Sequence, residues 1–142
     1  MGNLFRWGSE TGFRHLNRNS AQGIILKSKG FAIEQRVEDY LVSHGLKLIK
    51  RNYSCRRGEI DLIMLENDAV VFVEVRFRKS TSHGTPEETI TKAKIRKLVF
   101  AARLFLQTHP MHDTECRFDV VGVTQSQSGE LIFNWIKDAF GE

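Results

Sequence analysis

A chain of 142 residues and 16.3 kDa, 41% hydrophobic and 27% charged, has the size and balance of one globular domain and excludes wholesale disorder. Its two cysteines, Cys55 and Cys116, exclude a disulfide scaffold and a four-cysteine zinc site, and no apolar run approaches the ~20 residues that span a bilayer. The net charge of +4 is carried by residues 1–30, where Arg6, Arg14, Arg18, Lys27 and Lys29 stand against one acid, Glu10.

Residues 1–28 mix Gly, Ser, Asn and Arg without sustained periodicity and read as a flexible basic arm ahead of a domain spanning 29–142. No charged-then-apolar signal layout occurs there, and Arg6 stands where myristoylation needs Ser or Thr, so a soluble, cytoplasmic protein is expected. Helical spacing of Ile33, Val37, Tyr40, Leu41 and His44 predicts a first helix over 30–44, stopped by Gly45, with Glu34 at the margin of the apolar stripe. Strands follow at 46–53, 59–65 and 70–78, the last two joined by the turn residues Glu66-Asn67-Asp68-Ala69 as a hairpin. A second helix over 90–107 buries Ile95, Leu98, Val99, Ala102, Phe105 and Leu106 and ends before Pro110. Strands at 117–124 and 131–136 complete an α/β fold, a central mixed sheet flanked by helices.

The hairpin carries the chemistry. With Asn67-Asp68 as a two-residue turn, Glu66 pairs with Ala69 and Asp61 falls opposite Glu74, their side chains on one face. Facing carboxylates repel, and Glu74 is embedded in the apolar run Val70-Val71-Phe72-Val73-Glu74-Val75, where an unpaired charge is costly. Two compensations suit the pattern: a divalent cation on hard oxygen ligands, Mg²⁺ or Mn²⁺, or a structural salt-bridge network built on Arg76. Both depend on the register, since a slip of one residue turns one carboxylate to the opposite face.

The spacing Asp61-x12-Glu74-Val75-Arg76 resembles the PD-(D/E)xK signature of the restriction-endonuclease-like superfamily. A longer series supports it: Glu34-x-x-Val37-x-x-Tyr40-Leu41, Asn52-Tyr53, Gly58-Glu59-Ile60-Asp61-Leu62-Ile63, Phe72-Val73-Glu74-Val75-Arg76, Lys94, Cys116-Arg117-Phe118-Asp119-Val120-Val121 and Trp135-Ile136. In that order these residues are similar to the YraN-like family of uncharacterised bacterial proteins, over about residues 30–140. The resemblance implies a restriction-endonuclease-like fold similar to archaeal Holliday-junction resolvases. Matched by position, Glu34, Asp61, Glu74 and Arg76 form the catalytic set, with Asp61 and Glu74 as ligands of Mg²⁺ or Mn²⁺. The superfamily's proline before the aspartate is replaced by Ile60, and its lysine by Arg76. Arginine stays protonated, so Arg76 serves phosphate binding and not proton abstraction.

Basic groups around this core suit a phosphate backbone, with Arg56 and Arg57 ahead of Gly58, Arg78 beyond Arg76, and Lys94 on the second helix. Solvated surface is the plainer reading of each. The expected function is metal-dependent hydrolysis of DNA, branched DNA included, and the alternative is a non-catalytic nucleic-acid-binding module on the same fold. A homodimer is a further expectation from the junction-cutting relatives. Asp119 behind Arg117 predicts an internal Arg–Asp network, and Trp135 and Phe140 predict packing of the C-terminal end against the sheet. No histidine pair has metal-site spacing, and Gly84 in the loop 80–88 serves backbone geometry.

Overall fold

A computed structural model describes residues 21–79, 90–110 and 114–141. The first helix, α1, runs Ala21–Ser43 and buries Val37 and Leu41 completely. It stops as predicted: Gly45 takes φ 95°, Gly45 N donates to the Val42 carbonyl at 3.0 Å, and Leu46 N to the Leu41 carbonyl at 3.1 Å. Its start differs, because α1 begins well before the expected residue 30 and the boundary drawn at 28 falls inside it. Ile24, Ile25 and Leu26 are consecutive rather than spaced at helical intervals, so periodicity does not mark this segment. Residues 1–20, the loop containing Gly84, and His15, His83 and His112 lie outside the described residues.

The strands are β1 (Lys47–Cys55), β2 (Gly58–Glu66), β3 (Ala69–Arg78), β4 (Cys116–Gln125) and β5 (Leu131–Phe140), with α2 (Lys92–Thr108) between β3 and β4. They form one five-stranded sheet in the order β1-β2-β3-β4-β5. Neighbours are antiparallel except β3 and β4, which are parallel and need the crossover that α2 provides. The protein is therefore an α/β fold with a mixed sheet between two helices. β5 runs past the predicted end at Ile136 through an irregularity opposite Phe118–Val120, where Asp138 takes φ 51°. The polar pair Lys137-Asp138 breaks alternation there and hides the continuation.

Alternation along β3 divides the core. Val71 and Val73 join Val37, Leu41, Leu62, Met64, Val121 and Val123 under α1. Val70 and Phe72 join Ile63, Leu98, Ala102, Phe105 and Phe118 under α2. Glu74 continues the second series, so its side chain is carried toward α2. At Gly58, β2 comes so close to α2 that an added Cβ would lie 2.8 Å from the Lys97 carbonyl oxygen. At the other end, Asp119 is fully buried yet satisfied. Arg117 Nε (2.9 Å) and Nη2 (3.1 Å), Trp135 Nε1 (2.9 Å) and Asp138 N (2.9 Å) all donate to it. The predicted Arg–Asp network is present, and Phe140 stacks on Phe118 with centroids 5.0 Å apart.

Candidate active site

The hairpin register is the expected one, from Glu66↔Ala69 at the turn, where Asn67 takes φ 52°, to Leu62↔Val73. There the ladder stops. The next pair is Asp61 and Glu74, and the amide of Val75 donates to Asp61 Oδ2 at 2.8 Å instead of to the β2 backbone. A side chain thus takes over a ladder hydrogen bond, holding Asp61 rigidly at the point where the two strands part.

The Asp61 and Glu74 carboxyl groups lie close enough for each to shift the other's titration. Burial pushes both toward the protonated form, and on Glu74 the neighbouring Asp61 charge adds to it. The pKa of Glu74 rises to about 8. Two cations approach Glu74 Oε1, Arg76 Nη1 at 3.8 Å and Lys94 Nζ at 3.6 Å. Glu74 is only 4% exposed, and among the described residues its buried Oε2 has no hydrogen-bond partner. An orphaned buried acceptor costs about 1–3 kcal/mol.

Glu34 reaches this region from α1. Burial pushes its pKa up to about 7, with the Asp61 and Glu59 charges adding to the shift, while a hydrogen bond from Asn52 favours the ionised form. Asn52 was not singled out for a role by its sequence. It sits in β1 at φ 50°, in the left-handed region, between the pairs Arg51↔Leu62 and Tyr53↔Ile60, in line with Asp61. Asparagine tolerates that conformation better than other side-chain-bearing residues. Glu38, one helical turn beyond Glu34, was also passed over. It is buried and held by Arg51, Nε to Oε2 at 2.5 Å and Nη2 to Oε1 at 2.7 Å. Its i+4 spacing from Glu34 was the available signal.

The donor set fits a hard divalent cation. Among the described residues no group of three or more His, Cys, Asp or Glu side chains is arranged to hold a metal. The protein offers two carboxylates, one with an unpartnered buried oxygen. Mg²⁺ is commonly bound through one or two carboxylates, with water filling most remaining positions.

Of the other predicted residues, Lys94 joins the carboxylates, entering from the first turn of α2, where Thr91 caps the helix by accepting from Lys94 N at 3.1 Å. Arg78 lies further along β3, opposite Thr124. Arg56 and Arg57 are exposed in the β1–β2 turn. Arg57 lies over the Phe100 ring, 4.9 Å from its centroid, and lines a cavity of about 600 Å³ on α2 that none of the carboxylates lines. A cavity of about 560 Å³ between α1 and the far end of β3 is lined by Glu34 and Val75, with Phe77, Lys29 and Lys79 around it. His44 and His109 pack against aromatic rings, His44 on Tyr40 at 4.4 Å and His109 on Phe105 at 4.0 Å. Among the described residues no helix is long and apolar enough to cross a membrane.

Fold and site together define an α/β protein with a buried carboxylate pair flanked by two cations at a parted hairpin. The chain belongs to the uncharacterised protein family UPF0102, whose profile matches residues 33–123. It is 49% identical over 114 residues to the UPF0102 protein of Chromohalobacter salexigens, covering 80% of this chain and 91% of that one. The UPF0102 protein of Stutzerimonas stutzeri is 47% identical over 116 residues, covering 80% and 95%. That of Pseudomonas syringae pv. syringae is 40% identical over 131 residues, covering 88% and 98%. Among solved structures, Pyrococcus furiosus SfsA in complex with Ca²⁺ matches with a TM-score of 0.38 and 14% identity, over 77% of this chain and 62% of that one. At that level the likeness carries no functional argument.

Proposed function

We propose that this protein is a metal-dependent nuclease of the PD-(D/E)xK type, hydrolysing phosphodiester bonds in DNA, branched DNA included. The observation that carries the reading is the Asp61–Glu74 pair, with Glu74 Oε2 buried and unpartnered beside two cations. Asp61 and Glu74 are the residues assigned to Mg²⁺ or Mn²⁺, with the Val75 carbonyl as a third donor. When bound, the cation lowers the pKa of water and offsets phosphate charge. Glu34 accepts a proton from water at the site, a role suited to a carboxyl poised near neutral pH. Arg76 and Lys94 hold the phosphate, Arg76 as a two-point donor and Lys94 as a point charge.

The test is cleavage of labelled duplex, single-stranded, flap and four-way-junction DNA, and of RNA, in Mg²⁺, Mn²⁺ or EDTA. Metal-dependent cutting by the wild type, reduced by at least 100-fold in Asp61→Ala and Glu74→Ala, is the expected result. Metal binding and cutting that survive both substitutions overturn the reading.

A second reading is a non-catalytic nucleic-acid-binding module. The observation favouring it is Arg76 in the place of a lysine, with Arg76 and Lys94 already facing Glu74. It predicts salt-dependent binding that persists in EDTA and in Glu74→Ala, with no product from any substrate.

A further inference from the structure

We propose that the cavity between α1 and the end of β3 is a nucleotide pocket, taking the base of an unpaired nucleotide that lies beside the carboxylates. Its part in cleavage rests on the nuclease reading above, for which it names the substrate class: DNA with an unpaired nucleotide next to the bond that is cut.

The cavity holds about 560 Å³, within the ~300–1,000 Å³ of small-ligand pockets. Ile33, Val75, Phe77 and Leu131 line it and pack against the core beneath α1. Lys29, Ala32 and Ile33 lie at helical spacing, so one side of α1 forms a wall. Two exposed lysines border it from different elements, Lys29 from α1 and Lys79 from just beyond β3. A base has apolar ring faces and a polar edge, and enzymes that take one out of the stack hold it between apolar or aromatic side chains. Phe77 supplies the aromatic wall. Gln125 supplies a carboxamide, donor and acceptor both, steadied by its Nε2 donating to the Gly129 carbonyl at 3.2 Å. The lysines suit the phosphates on either side of the seated nucleotide.

Val75 joins this cavity to the carboxylates. Its side chain lines the cavity, whereas its amide donates to Asp61 Oδ2 at 2.8 Å. Glu34 lines the cavity too and feels the Asp61 charge. The β2–β3 ladder ends at Leu62↔Val73, so the strands part where cavity and carboxylates meet. A nucleotide seated here therefore has its backbone beside Asp61 and Glu74. A base inside a duplex must leave the stack to enter, which is least unfavourable for one without a partner.

Binding is measured in EDTA, by fluorescence anisotropy, so that it does not depend on cleavage. The probes are a labelled 20-base-pair DNA duplex with one central bulged nucleotide, the same duplex with an abasic residue at the bulge, and the fully paired duplex. Wild type, Ala32→Trp and Lys29→Gln/Lys79→Gln are compared, each checked for an unchanged melting temperature. Ala32 is exposed and lines the cavity, so an indole there fills it without removing core contacts.

The wild type should bind the bulged duplex about 5- to 100-fold tighter than the abasic one. Ala32→Trp should bring the two together while changing the paired duplex by less than twofold. Replacing both lysines should reduce the salt slope for the bulged duplex by about 1.8. Equal binding of bulged and abasic probes by the wild type overturns the proposal, as does an Ala32→Trp protein that keeps the preference or weakens all three probes alike. An unchanged salt slope overturns the phosphate role of the lysines. A protein that shows the base preference but never cuts overturns the nuclease reading and leaves the pocket standing.

Discussion

Glu34 is half-buried on α1, near the Asp61 and Glu59 charges and bonded to Asn52. An unfolded glutamate ionises near 4.5, whereas folded Glu34 keeps its proton to about 7. Between those values the native state binds more protons than the unfolded chain. Stability therefore falls as pH rises through the window, and the penalty is complete above it. Glu34→Gln removes this penalty. Its melting temperature should match wild type near pH 4, exceed it increasingly up to pH 7, and keep a constant lead beyond. Thermal melts from pH 4 to 9 check this, and a lead that does not vary with pH sinks the assignment. Asn52→Ala should move the upper edge of the window higher, because the lost bond favoured the carboxylate. Glu34 was legible from its place beside the apolar stripe. Asn52 was not, because its role comes from a left-handed backbone inside a strand, which no local pattern announces.

The hairpin is the element on which the site depends, and its register followed from turn chemistry and alternation alone. Where the ladder ends did not. The break after Leu62↔Val73 depends on Asp61 accepting from Val75, a contact between strands rather than a property of either. The fit of β2 against α2 is equally non-local. Gly58→Ala would place a Cβ 2.8 Å from the Lys97 carbonyl and force strand and helix apart. A loss of about 1–3 kcal/mol is expected from such overpacking. Because Asp61 lies on the same strand, the cleavage proposed above should fall by more than the folded fraction. Urea melts and specific activity at matched folded concentration test this, and an unchanged midpoint refutes the contact. The early start of α1 was illegible for a different reason: a helix whose apolar residues run consecutively has no periodic face to read.

For the whole molecule, protonation and folding are one linked equilibrium, and the proposed cation would join it. Glu34, Asp61 and Glu74 all have raised pKa values, so the metal-free protein is expected to lose stability as pH rises toward 8. The divalent cation proposed for Asp61 and Glu74 would bind the ionised native form and should reverse that loss. At one hundred times its dissociation constant it contributes about 2.7 kcal/mol. At pH 8, millimolar Mn²⁺ should raise the wild-type melting temperature by several degrees, EDTA should abolish the rise, and Glu74→Gln should show little of it. An equal rise in the variant places the ion elsewhere.

The order of elements, the mixed sheet and the facing of Asp61 with Glu74 were set by local patterning, because helix periodicity, strand alternation and turn residues act over a few residues. Tertiary structure decided what surrounds that pair. Lys94, twenty residues beyond Glu74, meets it only because α2 crosses over the β3–β4 connection, and Glu34 and Asn52 converge from α1 and β1. The same folding separates Arg57 from the carboxylates and seats it on Phe100. Charge clusters in a sequence name the available cations. Which phosphate, carboxylate or ring each one faces depends on how two helices pack against opposite faces of one sheet.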